Sequence, residues 1–134
     1  MITLIRDGVA LELPQDLFWE DELTWTSVAQ ATERSTTGAL LVDVAVRQGG
    51  RPITLQGEGN SAWITRASLK TLAAWSQQPG QEFTLNLRGE TFTVIFDHGT
   101  EETTNAINHA AVVRFSDMTN TDFYCSLVLR FIEV

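Results

Sequence analysis

The residues best suited to chemistry lie in one short segment, where an acidic run stands between aromatic side chains. The run Glu20-Asp21-Glu22 follows Phe18 and Trp19 and precedes Trp25. Glycoside hydrolysis needs two carboxylates that flank the scissile bond, and aromatic side chains commonly line ligand clefts. Consecutive side chains diverge in strands and in helices, so the run alone does not provide that pair. The spacing selects no second carboxylate among the three remaining candidates, Glu58, Asp97 and Glu101.

Other catalytic and metal-binding patterns are weak along the chain. His98 and His109 are eleven residues apart, without the short spacing of a motif such as H-E-x-x-H. Asp97-His98 with Glu101 could chelate a hard cation, although surface loop residues are the simpler interpretation. The serines lack a nucleophile elbow, and the glycines match no Walker or dinucleotide pattern. We therefore expect a non-enzyme, with no catalytic residues, no metal and no cofactor.

Composition and charge narrow the class of protein. The 134 residues are enough to bury a core in a single domain, residues 1–134. Cys125 is the one cysteine, which excludes an internal disulfide and a cysteine metal cluster. No secretion signal and no apolar run of roughly 18 residues is present, so we expect a protein made in the cytoplasm without a membrane partner. A formal net charge of −8 disfavours a grip on nucleic acid, but an acidic surface lets DNA slide past by repulsion.

Most of the chain carries the alternation of β-strands. Hairpins are predicted around Arg6-Asp7-Gly8 and Arg88-Gly89-Glu90, and a third is predicted between Ala39–Val46 and Pro52–Gln56. The segment ALLVDVAV is apolar on both faces except at Asp43, which predicts a strand covered on both sides. The final run, from Phe123 to Phe131, places every second side chain on one apolar face.

One segment has helical periodicity. Leu69, Leu72 and Ala73 follow the i, i+3, i+4 pattern, with Thr65 as N-cap and Pro79-Gly80 as the stop. A helix over about residues 66–77 is therefore predicted. The fold class is mainly β, a β-sandwich or barrel flanked by this one α-helix and carrying long loops or arms.

Two segments lack strand periodicity and are long for loops of a compact domain. The first, residues 17–35, contains the aromatic residues and the acidic run, and the second extends from Asp97 to about Asn108, with a short strand after it at Ala111–Phe115. Aromatic anchors with charges at the rim are typical of protein–protein interfaces. We therefore predict subunit-interface residues in both segments: Phe18, Trp19, Glu20, Asp21, Glu22, Trp25, Asp97, His98, Glu101 and Glu102.

Several stretches together resemble a known group of proteins. LPQDLFWEDELTW, GALLVDVAV, GRPITLQG, AWITRASLKTLAAW and the closing strand are similar to the tail-tube and distal-tail (baseplate) proteins of long-tailed bacteriophages. The likeness covers nearly the whole chain, and GRPITLQG, followed by a tryptophan and one helix, is its most recognisable part. These motifs are structural and carry no catalytic residues.

The resemblance implies a structural subunit of a phage tail tip or baseplate. Members of that group form rings, often six-fold, around a DNA channel, and their loops and arms reach onto adjacent subunits. The expected partners are further copies of the chain and the tube, hub and tape-measure proteins, and the expected location is the virion tail. The alternative from the residues alone is a carbohydrate-binding β-sandwich module for host attachment, with a hydrolase as a third reading.

Overall fold

A computed structural model describes residues 1–47, 49–99 and 105–134 of the chain. Within these ranges the chain forms eleven strands and one helix. The elements in chain order are β1 (Ile2–Arg6), β2 (Val9–Glu12), β3 (Phe18–Trp19), β4 (Val28–Arg34), β5 (Leu40–Val46), β6 (Pro52–Gln56), β7 (Ile64–Thr65), α1 (Arg66–Ser76), β8 (Phe83–Leu87), β9 (Glu90–Phe96), β10 (Ile107–Ala111) and β11 (Phe123–Glu133).

The last strand, β11, organises the main sheet. It pairs antiparallel with β6, β7, β9 and β10, and the sheet continues in the order β2-β1-β8-β9-β11-β6-β3. Cys125, Leu127, Leu129 and Phe131 are buried on one face, as the alternation of the sequence predicts. Phe123 is the exception, because it is 43% exposed at the end of the strand. Leu127, Leu129 and Phe131 form one core with the buried side chains of β1, β6, β8 and β9.

The predicted helix is confirmed, and α1 ends at Ser76, one residue before the predicted end. Thr65 is the N-cap, and its Oγ1 accepts a hydrogen bond from the backbone N–H of Ser68 at 3.4 Å. Leu69, Leu72 and Trp75 are the buried residues of the helix. Trp75 stacks on Phe83 of β8 with ring centroids 5.7 Å apart, which fixes the helix against the sheet.

Two predicted hairpins are confirmed and are closed by the same backbone geometry. Asp7-Gly8 joins β1 to β2, Arg88-Gly89 joins β8 to β9, and all four residues have positive φ. Two consecutive positive φ values are those of a type I′ turn, whose twist matches that of antiparallel strands. Glycine adopts this conformation without the steric strain that a Cβ would add.

The third predicted hairpin, between β5 and β6, does not form. The strand β5 forms as predicted, but it pairs with β4 in a separate two-stranded sheet instead of with β6. Both edges of β6 are already occupied, one by β11 and the other by β3, so no edge remains for β5. The short strand predicted at Ala111–Phe115 is also displaced, because pairing with β11 places β10 at Ile107–Ala111.

The fold is therefore mainly β, with antiparallel sheets and, in the ranges described, a single helix, in keeping with the predicted β-sandwich flanked by one helix. The hairpin of β4 and β5 stands apart from the main sheet as a second sheet. Among the described residues no helix has the length and apolar character needed to cross a membrane.

Two matched leucine substitutions test whether the β4–β5 hairpin contributes to the core. We expect Leu129→Ala to lower the free energy of unfolding by about 2–5 kcal/mol, because Leu129 is fully buried. Leu40→Ala removes the same atoms from a side chain that is 54% exposed, so a loss within about 0.5 kcal/mol is expected. Urea unfolding measures both values. Equal losses would mean that the β4–β5 hairpin packs against the core in solution.

Candidate functional site

The β4–β5 hairpin is closed by a turn of short polar residues. The backbone N–H of Ser35 donates to the carbonyl oxygen of Ala39 at 2.8 Å, and that of Gly38 donates to the Ser35 carbonyl oxygen at 2.9 Å. Gly38 has a φ of 86°, a left-handed conformation that suits glycine. At the base, the Arg47 N–H donates to the Ser27 carbonyl oxygen at 2.6 Å. The register is unbroken between these ends, from Val28 opposite Val46 to Arg34 opposite Leu40.

This register divides the hairpin into two faces of different composition. Side chains of directly paired residues project from the same face of an antiparallel sheet. The valine face consists of Val28, Gln30, Thr32, Arg34, Leu40, Val42, Val44 and Val46. The alanine face consists of Ala29, Ala31, Glu33, Leu41, Asp43 and Ala45. The first face thus carries five large aliphatic side chains and one charge, and the second carries mainly small side chains and two carboxylates.

The valine face is open to solvent. Its five aliphatic side chains are between 44% and 72% exposed, and every residue of β5 is classed as exposed. The sequence predicts that β5 is covered on both sides, but residues 1–47, 49–99 and 105–134 leave all seven residues of β5 exposed. Contiguous apolar surface of this kind on a soluble protein marks an interaction site. The valine face is therefore a candidate interaction surface.

The hairpin also offers unpaired backbone groups. The bonds at its two ends join Ser27 to Arg47 and Ser35 to Ala39. In an antiparallel ladder the hydrogen-bonded pairs alternate, so residues 28, 30, 32 and 34 and residues 40, 42, 44 and 46 direct their N–H and C=O groups outward. No third strand pairs with either edge in the part of the chain that the structure describes. Neither strand contains proline or lysine, two of the residues that block edge pairing.

The energy available from the valine face is moderate. Complete burial of an exposed Val or Leu side chain contributes about 1.5–3 kcal/mol, so five half-exposed side chains offer roughly 4–8 kcal/mol. Association costs on the order of 4–15 kcal/mol in lost freedom of motion. One such contact therefore supports weak docking, and stable assembly needs the contact to be repeated or supplemented.

The charge of the hairpin differs from that of the rest of the chain. Residues 28–47 contain two carboxylates, Glu33 and Asp43, and two guanidinium groups, Arg34 and Arg47, which cancel. The whole chain has a formal net charge of −8, of which the strands and turn at 28–46 carry −1, and Arg47 at the base of the hairpin balances that charge. The hairpin can therefore approach another acidic molecule with less electrostatic repulsion than the rest of the chain can.

Trp19, a predicted interface anchor, belongs to the core of its own chain. It is 6% exposed and meets Phe92 edge to face, with ring centroids 5.4 Å apart. The guanidinium of Arg51 lies 4.7 Å from the centroid of the Trp19 ring, within the range of a cation–π interaction. A side chain so buried has little surface left for a neighbour. The alternation of β3 explains the placement, because it directs Trp19 inward and leaves Phe18 65% exposed.

Asp21 is a structural residue within the acidic run. Its Oδ1 accepts a hydrogen bond from the Thr54 backbone N–H at 2.8 Å, and its Oδ2 accepts one from the Thr54 hydroxyl at 3.0 Å. The carbonyl oxygen of Glu22 accepts a hydrogen bond from Nη2 of Arg51 at 2.9 Å. These bonds fasten the segment before the hairpin to the start of β6. The side chains of Glu20 and Glu22 are exposed, and Trp25 is half-buried.

The second predicted segment is described only in part. Oδ1 of Asp97 accepts a hydrogen bond from the Gly99 N–H at 2.8 Å. His98 and His109 line one hollow of about 290 Å³ between α1 and β10. No group of three His, Cys, Asp or Glu side chains suited to a metal occurs among the described residues. Glu101 and Glu102 lie outside the described residues.

A second exposed apolar surface is absent from the sequence prediction. Trp63 and Phe123 lie with ring centroids 5.5 Å apart, and Val113 and Phe115 complete the surface. All four are between 43% and 56% exposed and border a cleft of about 140 Å³. We refer to it as the Trp63–Phe123 cleft. The alternation in the sequence places Phe123 on the buried face of β11. Only the path of the loop before β11 shows that this face is no longer covered at Phe123.

The described part of the chain is thus a mainly antiparallel β fold on which we identify two exposed apolar surfaces. Comparisons with protein-family models, curated proteins and solved structures found no match to the chain. The surfaces themselves, the β4–β5 hairpin and the Trp63–Phe123 cleft, are thus the basis for assigning a function.

Substitutions in the acidic run distinguish a structural carboxylate from a solvated one. We expect Asp21→Ala to lower the free energy of unfolding by about 1.5–3 kcal/mol, since it removes hydrogen bonds to a charged group. Glu22→Ala is the control, because the Glu22 side chain is exposed and Arg51 contacts only its backbone. Its effect should stay within about 0.5 kcal/mol. Chemical denaturation measures both, and an effect of Glu22→Ala as large as that of Asp21→Ala would contradict the assignment.

Proposed function

We propose that the chain is a non-enzymatic structural subunit of a phage tail tip or baseplate, where copies form a ring around the DNA channel and link the tail tube to tip or hub proteins. The observation that carries the proposal is the uncovered valine face of the β4–β5 hairpin. An extended apolar hairpin outside the core serves no evident purpose in a solitary molecule. In an assembly it is the arm through which one subunit holds the next.

The kind of assembly is proposed from the resemblance of three sequence stretches. The stretches LPQDLFWEDELTW, GALLVDVAV and GRPITLQG resemble the tail-tube and distal-tail group, and GALLVDVAV contains the exposed strand β5. The hairpin replaces the aromatic residues as the expected assembly arm, because Trp19 is buried in the core. Phe18 is exposed and Trp25, three residues before β4, is half-buried, so both can add to a contact.

The net charge suits a ring that DNA passes through. With a formal charge of −8, the body of each subunit repels phosphate and gives DNA no place to bind. The neutral hairpin lets neighbouring acidic bodies join in spite of their mutual repulsion. The partners are other copies of the chain and the tube, hub and tape-measure proteins, and the protein is made in the host cytoplasm before it enters the virion.

The decisive substitution places a charge on the valine face. We expect Val44→Asp to fold normally but to fall at least about tenfold in incorporation into tails, because one carboxylate buried without a partner costs several kcal/mol. Val9→Asp is the matched control, since Val9 also lies in a strand and is 59% exposed against 65% for Val44. Incorporation is measured by mass spectrometry of purified particles from a phage genome that encodes each variant.

Immunogold labelling of the unmodified protein on the same particles provides the reference, with label expected at the tail end. Label that is absent from the tail would overturn the proposal. Normal incorporation of Val44→Asp would show that the hairpin is not the assembly arm, and equal loss with Val9→Asp would show that any surface charge disturbs assembly.

The exposed Trp63 supports a second candidate, carbohydrate binding for host attachment. Its ring is half-exposed, and the hollow beside it includes the polar side chains of Glu12, Gln15, Thr65 and Ser68. Aromatic rings with a few convergent polar groups are characteristic of small-molecule sites. Glycan-array binding that disappears in Trp63→Ala and persists in Phe18→Ala would favour this candidate. No binding by the unmodified protein is the result expected from the tail proposal.

A further inference from the structure

We propose that the Trp63–Phe123 cleft of one copy receives the valine face of the hairpin of a second copy. The inference rests on the proposed assembly function and names the surface that the arm contacts. Both surfaces are apolar and exposed on the isolated chain, and they belong to different parts of it: the hairpin covers residues 28–46, and the cleft is formed by residues near positions 63, 112–115 and 121–123. If the hairpin of one copy docks in the cleft of another, the same contact buries both apolar surfaces.

The size of the cleft fits one aliphatic side chain. Its volume is about 140 Å³, and an apolar cavity of roughly 150 Å³ accommodates a group the size of benzene. A valine or leucine side chain is within that limit. Val44 and Val46, at 65% and 72%, are the most exposed large side chains of the valine face and are the natural occupants. The rings of Trp63 and Phe123, which contact each other, then form one apolar wall beside the inserted side chain.

Charge selects the valine face over the alanine face. The only charged residue of the valine face is Arg34, whereas the alanine face presents Glu33 and Asp43. The loop that borders the cleft, residues 111–123, contains one arginine and two aspartates and has a net charge of −1. An approach by the alanine face would bring Asp43 against this acidic loop, whereas an approach through Val44 and Val46 places no like charge there. Arg34 lies opposite Leu40 at the turn end of the hairpin, roughly 13–20 Å from these two valines.

A contact between unlike surfaces has a geometric consequence. Since the donor hairpin and the acceptor cleft are different parts of the chain, each copy uses both. Two copies that exchange hairpins reciprocally form a closed dimer, whereas a head-to-tail arrangement closes into a ring or continues as a filament, and the proposed ring uses the head-to-tail arrangement. A seven-residue strand is about 23 Å long, so one hairpin face is small beside the roughly 800 Å² per partner of a standard interface. Closure into a ring, where every copy is held twice, compensates for the small contact.

Disulfide trapping between two singly labelled proteins tests the contact. All variants carry Cys125→Ala, so that the introduced cysteine is the only thiol. One protein carries Val44→Cys and the other Phe115→Cys, and they are mixed at high concentration under mild oxidation. The control mixture replaces Val44→Cys by Val9→Cys, a valine of similar exposure in another strand. We expect roughly tenfold or more heterodimer over the control, because docking raises the local thiol concentration.

The outcomes separate this inference from the function on which it rests. Abundant disulfides between two Val44→Cys copies would overturn it in favour of hairpins that pair with each other. Heterodimer at the level of the control would also overturn it, whether or not the protein binds glycans. Neither result affects the tail proposal, which depends on the location of the protein in the virion and on the incorporation of Val44→Asp.

Discussion

The pairing of β11 is the constraint on which the rest of the structure depends. Its eleven residues bond to β9 on one side and to β6 on the other near its C-terminal end, and to β7 and β10 nearer its start. Its alternating apolar side chains form the middle of the core. Because β6 is enclosed between β11 and β3, β5 cannot pair with β6 and pairs with β4 instead. The exposed hairpin is thus a consequence of how the core is built.

The hairpin leaves the body from a firmly held base. On the incoming side, Asp21 is bonded to Thr54, and on the outgoing side the Gly50 N–H donates to the Glu133 carbonyl oxygen at 2.8 Å. Arg51 connects the two sides, since it lies over the Trp19 ring and donates to the Glu22 carbonyl oxygen. The acidic run and the tryptophan, which suggest a catalytic or docking site in the sequence, are used to fix the origin of the arm. An arm with a fixed origin loses less freedom when it docks than one on a loose tether.

The sequence predicts what depends on local periodicity and turn chemistry. Arg6-Asp7-Gly8 and Arg88-Gly89-Glu90 mark hairpins because adjacent residues must accept positive φ, and Thr65 marks the helix start through its hydroxyl. The partner of β5 and the burial of Trp19 depend on which strand edges remain free, which no local pattern records. The apolar pattern of β5 predicts a strand covered on both sides, and this prediction is wrong for the described chain, where all seven residues of β5 are exposed.

Exposed apolar edge strands can pair with other chains and aggregate. Edge strands are usually protected by proline, lysine or short length, and the seven-residue strands β4 and β5 contain neither residue. The acidic body around this unprotected hairpin repels other copies at a distance. Together these features allow association only where the docking geometry brings apolar surfaces into contact before acidic surfaces meet. Under the function proposed above, the subunit remains separate during synthesis and joins an ordered structure afterwards, and a weak apolar contact on a repulsive acidic body suits both stages.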